Sequence, residues 1–211
     1  MNNLDRIFNE SGDFKAYFHG YLDYLTDVLK ALDAAEAERF VLMLDTARAL
    51  GKTVFLAGNG GSAATATHMA NDFGTDTLKY SKGKAAFRVL SLTDNAAVML
   101  AVANDDGYEN VFINQLRVHY RPGDFLIGVS ASGNSLNVIK AARWVKANGG
   151  KVLGFVGFDG GELKRLADAV VHVRSNNGEY GIVEDAHMVM DHLMASWFQR
   201  KFLNEDMIPA V

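Results

Sequence analysis

Thr53-Val54-Phe55-Leu56-Ala57-Gly58-Asn59-Gly60-Gly61-Ser62-Ala63-Ala64 is the stretch that decides the fold. Its first five residues form a short, wholly apolar run, as a strand buried on both faces requires. The glycines that follow permit a tight turn. From Ser62 to about Asp72 the composition favours a helix. A buried strand that turns directly into a helix is the opening half of a βαβ unit.

The same alternation continues downstream. Strands are expected over 87–91, 124–129, 151–156 and 169–173. Helical stretches are expected over 96–103, 108–118, 135–148 and 182–203. Five strands alternating with helices imply an α/β fold with a parallel sheet. Right-handed crossovers place helices on both of its faces, and ligands gather at the carboxyl ends of its strands.

Upstream, Phe14, Tyr17, Phe18, Tyr21, Leu25, Val28 and Leu29 recur at helical spacing. Asp33 and Glu36 read as a capping box for a second helix, with the stripe Phe40, Val41, Leu44 and Ala47 and a stop at Gly51. These two N-terminal helices are extra to the βα alternation; they pack on one face or join subunits.

The chain has 211 residues, 25 acidic and 21 basic, a net charge of −4. That balance has no electrostatic footprint for gripping a nucleic-acid backbone. The absence of cysteine excludes disulfides, thiolate metal sites and thiol nucleophiles, and it fits a reducing compartment. Met1 to Asp13 is polar and acidic, unlike a signal peptide, and no apolar run approaches a membrane span. We expect a cytoplasmic protein with one domain over 1–211, and neither a nucleic acid nor a membrane as partner.

The first strand runs into Gly58-Asn59-Gly60-Gly61-Ser62, the third into Ser130-Ala131-Ser132-Gly133-Asn134-Ser135. Each lies between a strand end and a helix start, where free N–H groups and the positive end of the helix dipole favour an anion. Either loop alone reads equally well as a plain turn. The first lacks the third glycine of a dinucleotide-binding turn, which has Ala63 in that place, and no GK[ST] follows it. Two such loops on one sheet favour a phosphate.

Gly58-Asn59-Gly60-Gly61-Ser62-Ala63-Ala64 followed by His68, and Ser132-Gly133-Asn134-Ser135 followed by Asn137-Val138, resemble the sugar isomerase (SIS) domain. Leu92-Thr93-Asp94, Ala103-Asn104-Asp105, Gly107-Tyr108-Glu109 and Phe112 are similar to the sedoheptulose 7-phosphate, or phosphoheptose, isomerases. So are His187 and His192 behind Glu184 and Asp185. The resemblance covers most of the chain. It implies a flavodoxin-like three-layer sandwich, a homotetramer with interfacial active sites, and an aldose–ketose isomerisation that makes a heptose phosphate for lipopolysaccharide, capsule or a related glycan. It also implies that Asn59, Gly60, Ser62, Ser130, Ser132 and Ser135 hold the phosphate or lie beside it, and that Asp94 and Glu184 stand on the substrate side.

Moving a carbonyl between adjacent carbons requires a base, a second acid–base group and no redox cofactor. The resemblance assigns Asp72 as base, where the family usually has a longer Glu, and His192 as acid. It implies one Zn²⁺ per site on His68, Asp72, Glu184 and His192, with Glu184 replacing a family Gln, and no organic cofactor. Glu184 and His192 are about 12 Å apart along a straight helix, so sharing an ion requires Glu184 at or before the helix start. His68 and Asp72 share a helix face at i,i+4, a spacing that also arises without function. His187, Met188, Met190 and Met194 read as structural. His19, His119 and His172 have no local partner. Asp76 stands where the family usually carries a substrate arginine, and Ala131 where it carries threonine. A competing function is a non-catalytic SIS module, a sugar-phosphate sensor or a protein adaptor such as one serving a replication initiator. Nucleotide binding on a Rossmann-like sheet is weaker still.

Overall fold

The structure, a computed structural model, describes residues 1–204. Strands β1 (Thr53–Gly58), β2 (Arg88–Ser91), β3 (Phe125–Ser130), β4 (Lys151–Gly157) and β5 (Ala169–Val173) form one all-parallel sheet in the order β2-β1-β3-β4-β5. This is the flavodoxin-like order, and the chain changes direction between β1 and β3. The loops that leave those two strands therefore start side by side and diverge to opposite faces.

Alternation along β1 shows why both faces must be covered. Val54 and Leu56 pack with Phe40 and Leu44 of α3 (Ala34–Ala49), Met69 of α4 (Gly61–Asn71) and Phe198 of α10 (Tyr180–Asn204). Phe55 and Ala57 point the other way, onto Leu116 of α7 (Ile113–His119), Val138 and Ala142 of α8 (Leu136–Ala147) and Leu163 of α9 (Gly161–Leu166). The apolar run at 53–57 thus feeds two cores. Gly51, at a φ of 61°, ends α3 in the left-handed conformation that glycine adopts without a Cβ penalty.

The N-terminal region differs from the sequence reading. Three helices precede β1, because α1 (Asn3–Glu10) comes before α2 (Phe14–Lys30) and α3. Helix α1 is short and polar and buries only Ile7, so it carries no periodic apolar signal; an Asn2–Asp5 capping box starts it. Asp33 caps α3 as expected, accepting from the N–H groups of Ala35 and Glu36. Glu36 does not complete a capping box; it pairs with Arg174 at 3.5 Å.

Three other segments also depart. The stretch at 108–118 is not one helix but a 3₁₀ turn, Tyr108–Asn110, followed by α7. Val111 and Phe112 between them are fully buried. The six-residue α9 was too short to read. The helix after β1 runs on through a π turn, Asp72–Asp76, into α5 (Thr77–Tyr80). Its widened ring is visible in the Thr77 N–H, which reaches back to the Asp72 carbonyl. The remaining helix, α6 (Ala96–Asp105), lies where expected.

Candidate active site

At the carboxyl ends of β1 and β3 lies a cleft of about 260 Å³, lined by Asn59, Gly60, Gly61, Ser62, Ser130, Ala131, Ser132, Ser135, Tyr180 and Glu184. All the residues expected beside the phosphate are here. The helices that start at the cleft, α4 and α8, both lack a side-chain cap. Their first-turn N–H groups remain available to an anion, beside the serine hydroxyls. Ser130 and Ser135 hydroxyls lie 3.0 Å apart, and the Ser132 hydroxyl accepts from the Asn134 N–H at 3.2 Å. The serine loop rests on the next crossover. Gly133 has a φ of 63°, and a Cβ there would strike the Gly160 carbonyl, so backbone sits directly on backbone.

Asn59, besides lining the cleft, joins its two sides. Its side chain forms a reciprocal amide pair with Asn137 of α8, each Nδ2 donating to the other's Oδ1 at 2.9 Å, and it accepts from the Tyr108 hydroxyl at 2.7 Å. It ties the β1 loop to the start of α8 and so fixes the width of the cleft.

The second centre lies farther along the same helices. His68 on α4, Asp72 at the π turn, and Asp191 and His192 on α10 bring one donor atom each within 4.8 Å of one another. The imidazole Nε2 atoms of His68 and His192 are 2.9 Å apart, and His68 Nε2 is 3.6 Å from Asp72 Oδ1. The carboxylates are buried and the imidazoles exposed, so the cluster opens to solvent on its histidine side. Burial, and then the charge of Asp72, push the Asp191 carboxyl up to about 8. Both Asp191 oxygens are buried without a hydrogen-bond partner.

Glu184 is not in this group. Helix α10 already begins at Tyr180, so Glu184 sits inside it and about 12 Å of helical rise separates it from His192. The geometric condition for joining His192 on one ion is not met within the chain. Its carboxylate lies against Gly61 in the serine-lined cleft, where a Cβ on Gly61 would collide with it. Burial, and then Asp185, raise the Glu184 carboxyl above the usual carboxylate range.

Asp94 lies outside the phosphate cleft. It accepts from the Thr67 hydroxyl at 2.6 Å, which places it on the flank of α4 beside His68. Asp76 falls within the π turn, where the i+4 residue no longer shares a face with i, and it does not join the cluster. His187 is structural, as read: it is fully buried, bonded to the Val156 carbonyl at 3.2 Å and pushed down to about 4 by burial. His172 does have partners, distant in sequence: the Phe158 carbonyl and Lys164 Nζ, both at 3.0 Å.

The sequence reading missed Asn137, Tyr180 and Asp191 as site residues. Asp191 left a usable signal. It falls at a core position of α10, in step with Val183, His187, Ala195, Phe198 and Phe202, all buried. A carboxylate in an apolar stripe needs a partner or a function.

Comparison with known proteins agrees with this architecture. The SIS domain model matches residues 16–157. The phosphoheptose isomerase of Helicobacter pylori strain Shi470 is 34% identical over 195 residues, which span 92% of this chain and 98% of that protein. The phosphoheptose isomerase of Aneurinibacillus thermoaerophilus is 36% identical over 159 residues, 73% of this chain and 78% of that one. The solved structure of phosphoheptose isomerase GmhA from Neisseria gonorrhoeae aligns with a TM-score of 0.75 at 26% identity, over 88% of this chain and 96% of that chain. A serine- and glycine-lined cleft at the switch point of a 2-1-3-4-5 sheet and these similarities lead to one assignment: the chain belongs to the SIS domain family, among its phosphoheptose isomerases.

Proposed function

We propose that the chain interconverts sedoheptulose 7-phosphate and a heptose 7-phosphate for lipopolysaccharide, capsule or a related glycan. The observation that carries this reading is that the anion cleft and the histidine–carboxylate cluster share helices α4 and α10. From Ser62, His68 lies about 9 Å and Asp72 about 15 Å along the axis of α4. That span suits a long-chain sugar held by a terminal phosphate, with its carbonyl end at the cluster.

The ketose-to-aldose direction needs one proton moved from C1 to C2 and one moved between the two oxygens. Asp72, 8% exposed, is the base that takes the C1 proton and returns it to C2 of the enediol. His192 moves the hydroxyl proton from one oxygen to the other. The reaction is internally redox-neutral and calls for no organic cofactor. The two imidazoles and the buried carboxylates beside them fit a divalent cation such as Zn²⁺. When bound, the cation supplies charge stabilisation for the enediolate oxygens. Ser62, Ser130, Ser132 and Ser135 bind the phosphate, and Glu184 and Asn59 shape its cleft.

We place the chain in the cytoplasm, as one domain. No helix among the described residues is long and apolar enough to cross a membrane. A homotetramer is supported by the apolar residues left open on α3 and α10: Leu42 is 61% exposed, Leu193 55% and Trp197 57%. Conversion of C5 to C7 ketose and aldose phosphates by the purified chain, followed by chromatography, tests the reading. Turnover is expected with sedoheptulose 7-phosphate, and no turnover of any member would end it.

A further inference from the structure

We propose that Glu179 is a positioning residue for the phosphate cleft: through it, helices α1 and α2 hold the first turn of α10, and with it Tyr180, against the serine loop. The inference rests on the cleft being the phosphate site and deepens that reading. It does not depend on which sugar is isomerised.

The first support is the way Glu179 is buried. It directly precedes α10 and is 0% exposed. Its main-chain carbonyl starts the helix, accepting from the Val183 N–H at 3.2 Å. Its carboxylate turns to the N-terminal helices instead. It accepts from the Asn3 N–H in the first turn of α1 and from the Tyr24 hydroxyl of α2, both at 2.6 Å. The Asn176 N–H adds a bond at 2.9 Å. Asn3 Nδ2 donates to the Tyr24 hydroxyl at 2.9 Å, so α1 and α2 are tied to each other as well as to Glu179. Bonds of 2.6 Å to an ionised acceptor are of the short, strong kind. All these donors are neutral, and a buried carboxylate so served is satisfied only while each donor keeps its place. It therefore fixes geometry more sharply than an apolar contact would. Farther along α10, the Tyr21 hydroxyl adds a second tie, to Asp185 at 2.7 Å.

The second support is what the held turn touches. Tyr180 and Glu184 both line the cleft. Val183 presses on the end of β4, where a Cβ on Gly157 would strike both Val183 and the Ala131 carbonyl. The Gly157 N–H donates to that carbonyl at 2.9 Å, which links Val183 through β4 to the serine loop. On the other side, Glu184 lies against Gly61. One turn of helix thus abuts both phosphate loops.

The third support is the packing beneath. Val28 of α2 is buried in a small cluster with Ala131, Phe158 and Val183, apart from the two cores of the sheet. Phe158 sets its ring edge-on to Tyr180, with centroids 5.1 Å apart. Its φ of 48° is one that a bulky residue keeps only where its surroundings enforce it.

The test titrates the full chain with inorganic phosphate by calorimetry and measures KM and kcat on sedoheptulose 7-phosphate. Each oxygen of Glu179 faces an N–H that cannot turn, Asn3 on Oε1 and Asn176 on Oε2. In Glu179→Gln the amide nitrogen must face one of them, so the variant breaks a tie while keeping the volume. Tyr24→Phe removes one hydroxyl at a half-buried position and carries the test if Glu179→Gln does not fold; circular dichroism checks both. Asp168→Asn controls for general destabilisation, because Asp168 accepts from the Val152 N–H at the opposite end of the sheet. Phosphate affinity should fall about tenfold in Glu179→Gln and about threefold in Tyr24→Phe, as for one contact to the anion lost or loosened. KM should rise by similar factors while kcat stays within about twofold. Asp168→Asn should lower the melting temperature but leave phosphate affinity within about twofold. Unchanged affinity in Glu179→Gln and Tyr24→Phe, or an equal loss in Asp168→Asn, would overturn the proposal. Phosphate binding that weakens as stated in a chain that turns over no sugar phosphate upholds it and refutes the isomerase reading. Turnover with wild-type KM and phosphate affinity in both variants does the reverse. No phosphate binding by the wild type overturns the proposal together with the cleft assignment.

Discussion

Replacing Asn137 by alanine tests whether the two phosphate loops work as one clamp. Asn137 is 2% exposed and makes both amide bonds to Asn59, each 2.9 Å long. Neutral hydrogen bonds of this kind contribute about 1 kcal/mol each, so Asn137→Ala should cost about 2 kcal/mol. The cost should not be much larger, because Asn59 is half-buried, keeps its bond from Tyr108 and can turn its amide to water. For a chain of this length that loss lowers the melting temperature by about 4–8 °C. Untied, the β1 loop can move away from α8, and the cleft no longer presents both helix starts to one phosphate. The KM for the sugar phosphate should rise about tenfold, equivalent to about 1.4 kcal/mol of lost binding. The kcat should change far less, because Asp72 and His192 lie in the separate histidine–carboxylate cluster, which includes neither Asn59 nor Asn137. Thermal unfolding and steady-state kinetics read both effects. A melting temperature and KM indistinguishable from wild type would refute the clamp, and a fall confined to kcat would show that Asn59 and Asn137 serve the chemistry instead.

Gly133→Ala puts a Cβ into the Gly160 carbonyl at a left-handed φ of 63°. It should cost at least about 2 kcal/mol in chemical denaturation, and a neutral result would mean that the serine loop is not packed as described. Glu184 carries charge into an anion cleft, and its raised pKa means that it neutralises above the usual carboxylate range as pH falls. Glu184→Gln should therefore bind inorganic phosphate more tightly than wild type at alkaline pH, with the ratio shrinking as pH falls; a ratio that does not change with pH would refute the placement. His187 is held neutral down to about 4, whereas the unfolded chain takes up a proton below about 6.5. Its contribution is complete above about 6.5 and lost as pH falls, about 3 kcal/mol by pH 4. His187→Gln should flatten that acid limb in urea titrations, and unchanged limbs would sink the assignment.

What could be read from the sequence follows physical range. The apolar run at 53–57 announces a doubly buried strand because every residue there meets a core. The two glycine–serine loops announce a phosphate because strand end, turn and helix start are contiguous in the chain. The π turn at Asp72 left no trace, since one extra residue per ring is a local adjustment that composition does not encode. Helices α1 and α9 are too short for periodicity to speak. Asn137 was passed over because its partner is 78 residues away, and His172 because its partners, on α9 and after β4, are set by the turn of the chain rather than by spacing along one element.

The departures from the family's usual residues become coherent once α4 and α10 face each other. Asp72 is one methylene shorter than the usual Glu, which draws one carboxylate back toward α4. Asp191 supplies a second carboxylate from the opposite helix, within ligand range of the same two imidazoles. Within one chain the helical position of Glu184 keeps it from the cluster. It stands over Gly61 instead, among the serines of the cleft. Asp76, turned off the Asp72 face by the π ring, does not compensate for the absent arginine. Together these changes leave the serine-lined cleft intact and make the space between α4 and α10 more acidic than the family's usual residues would. Discrimination among sugars should therefore depend on the reach from cradle to cluster more than on charge recognition along the chain. The C5–C7 panel separates these contributions: a preference that rises with chain length supports reach, and equal turnover of all members would assign specificity elsewhere.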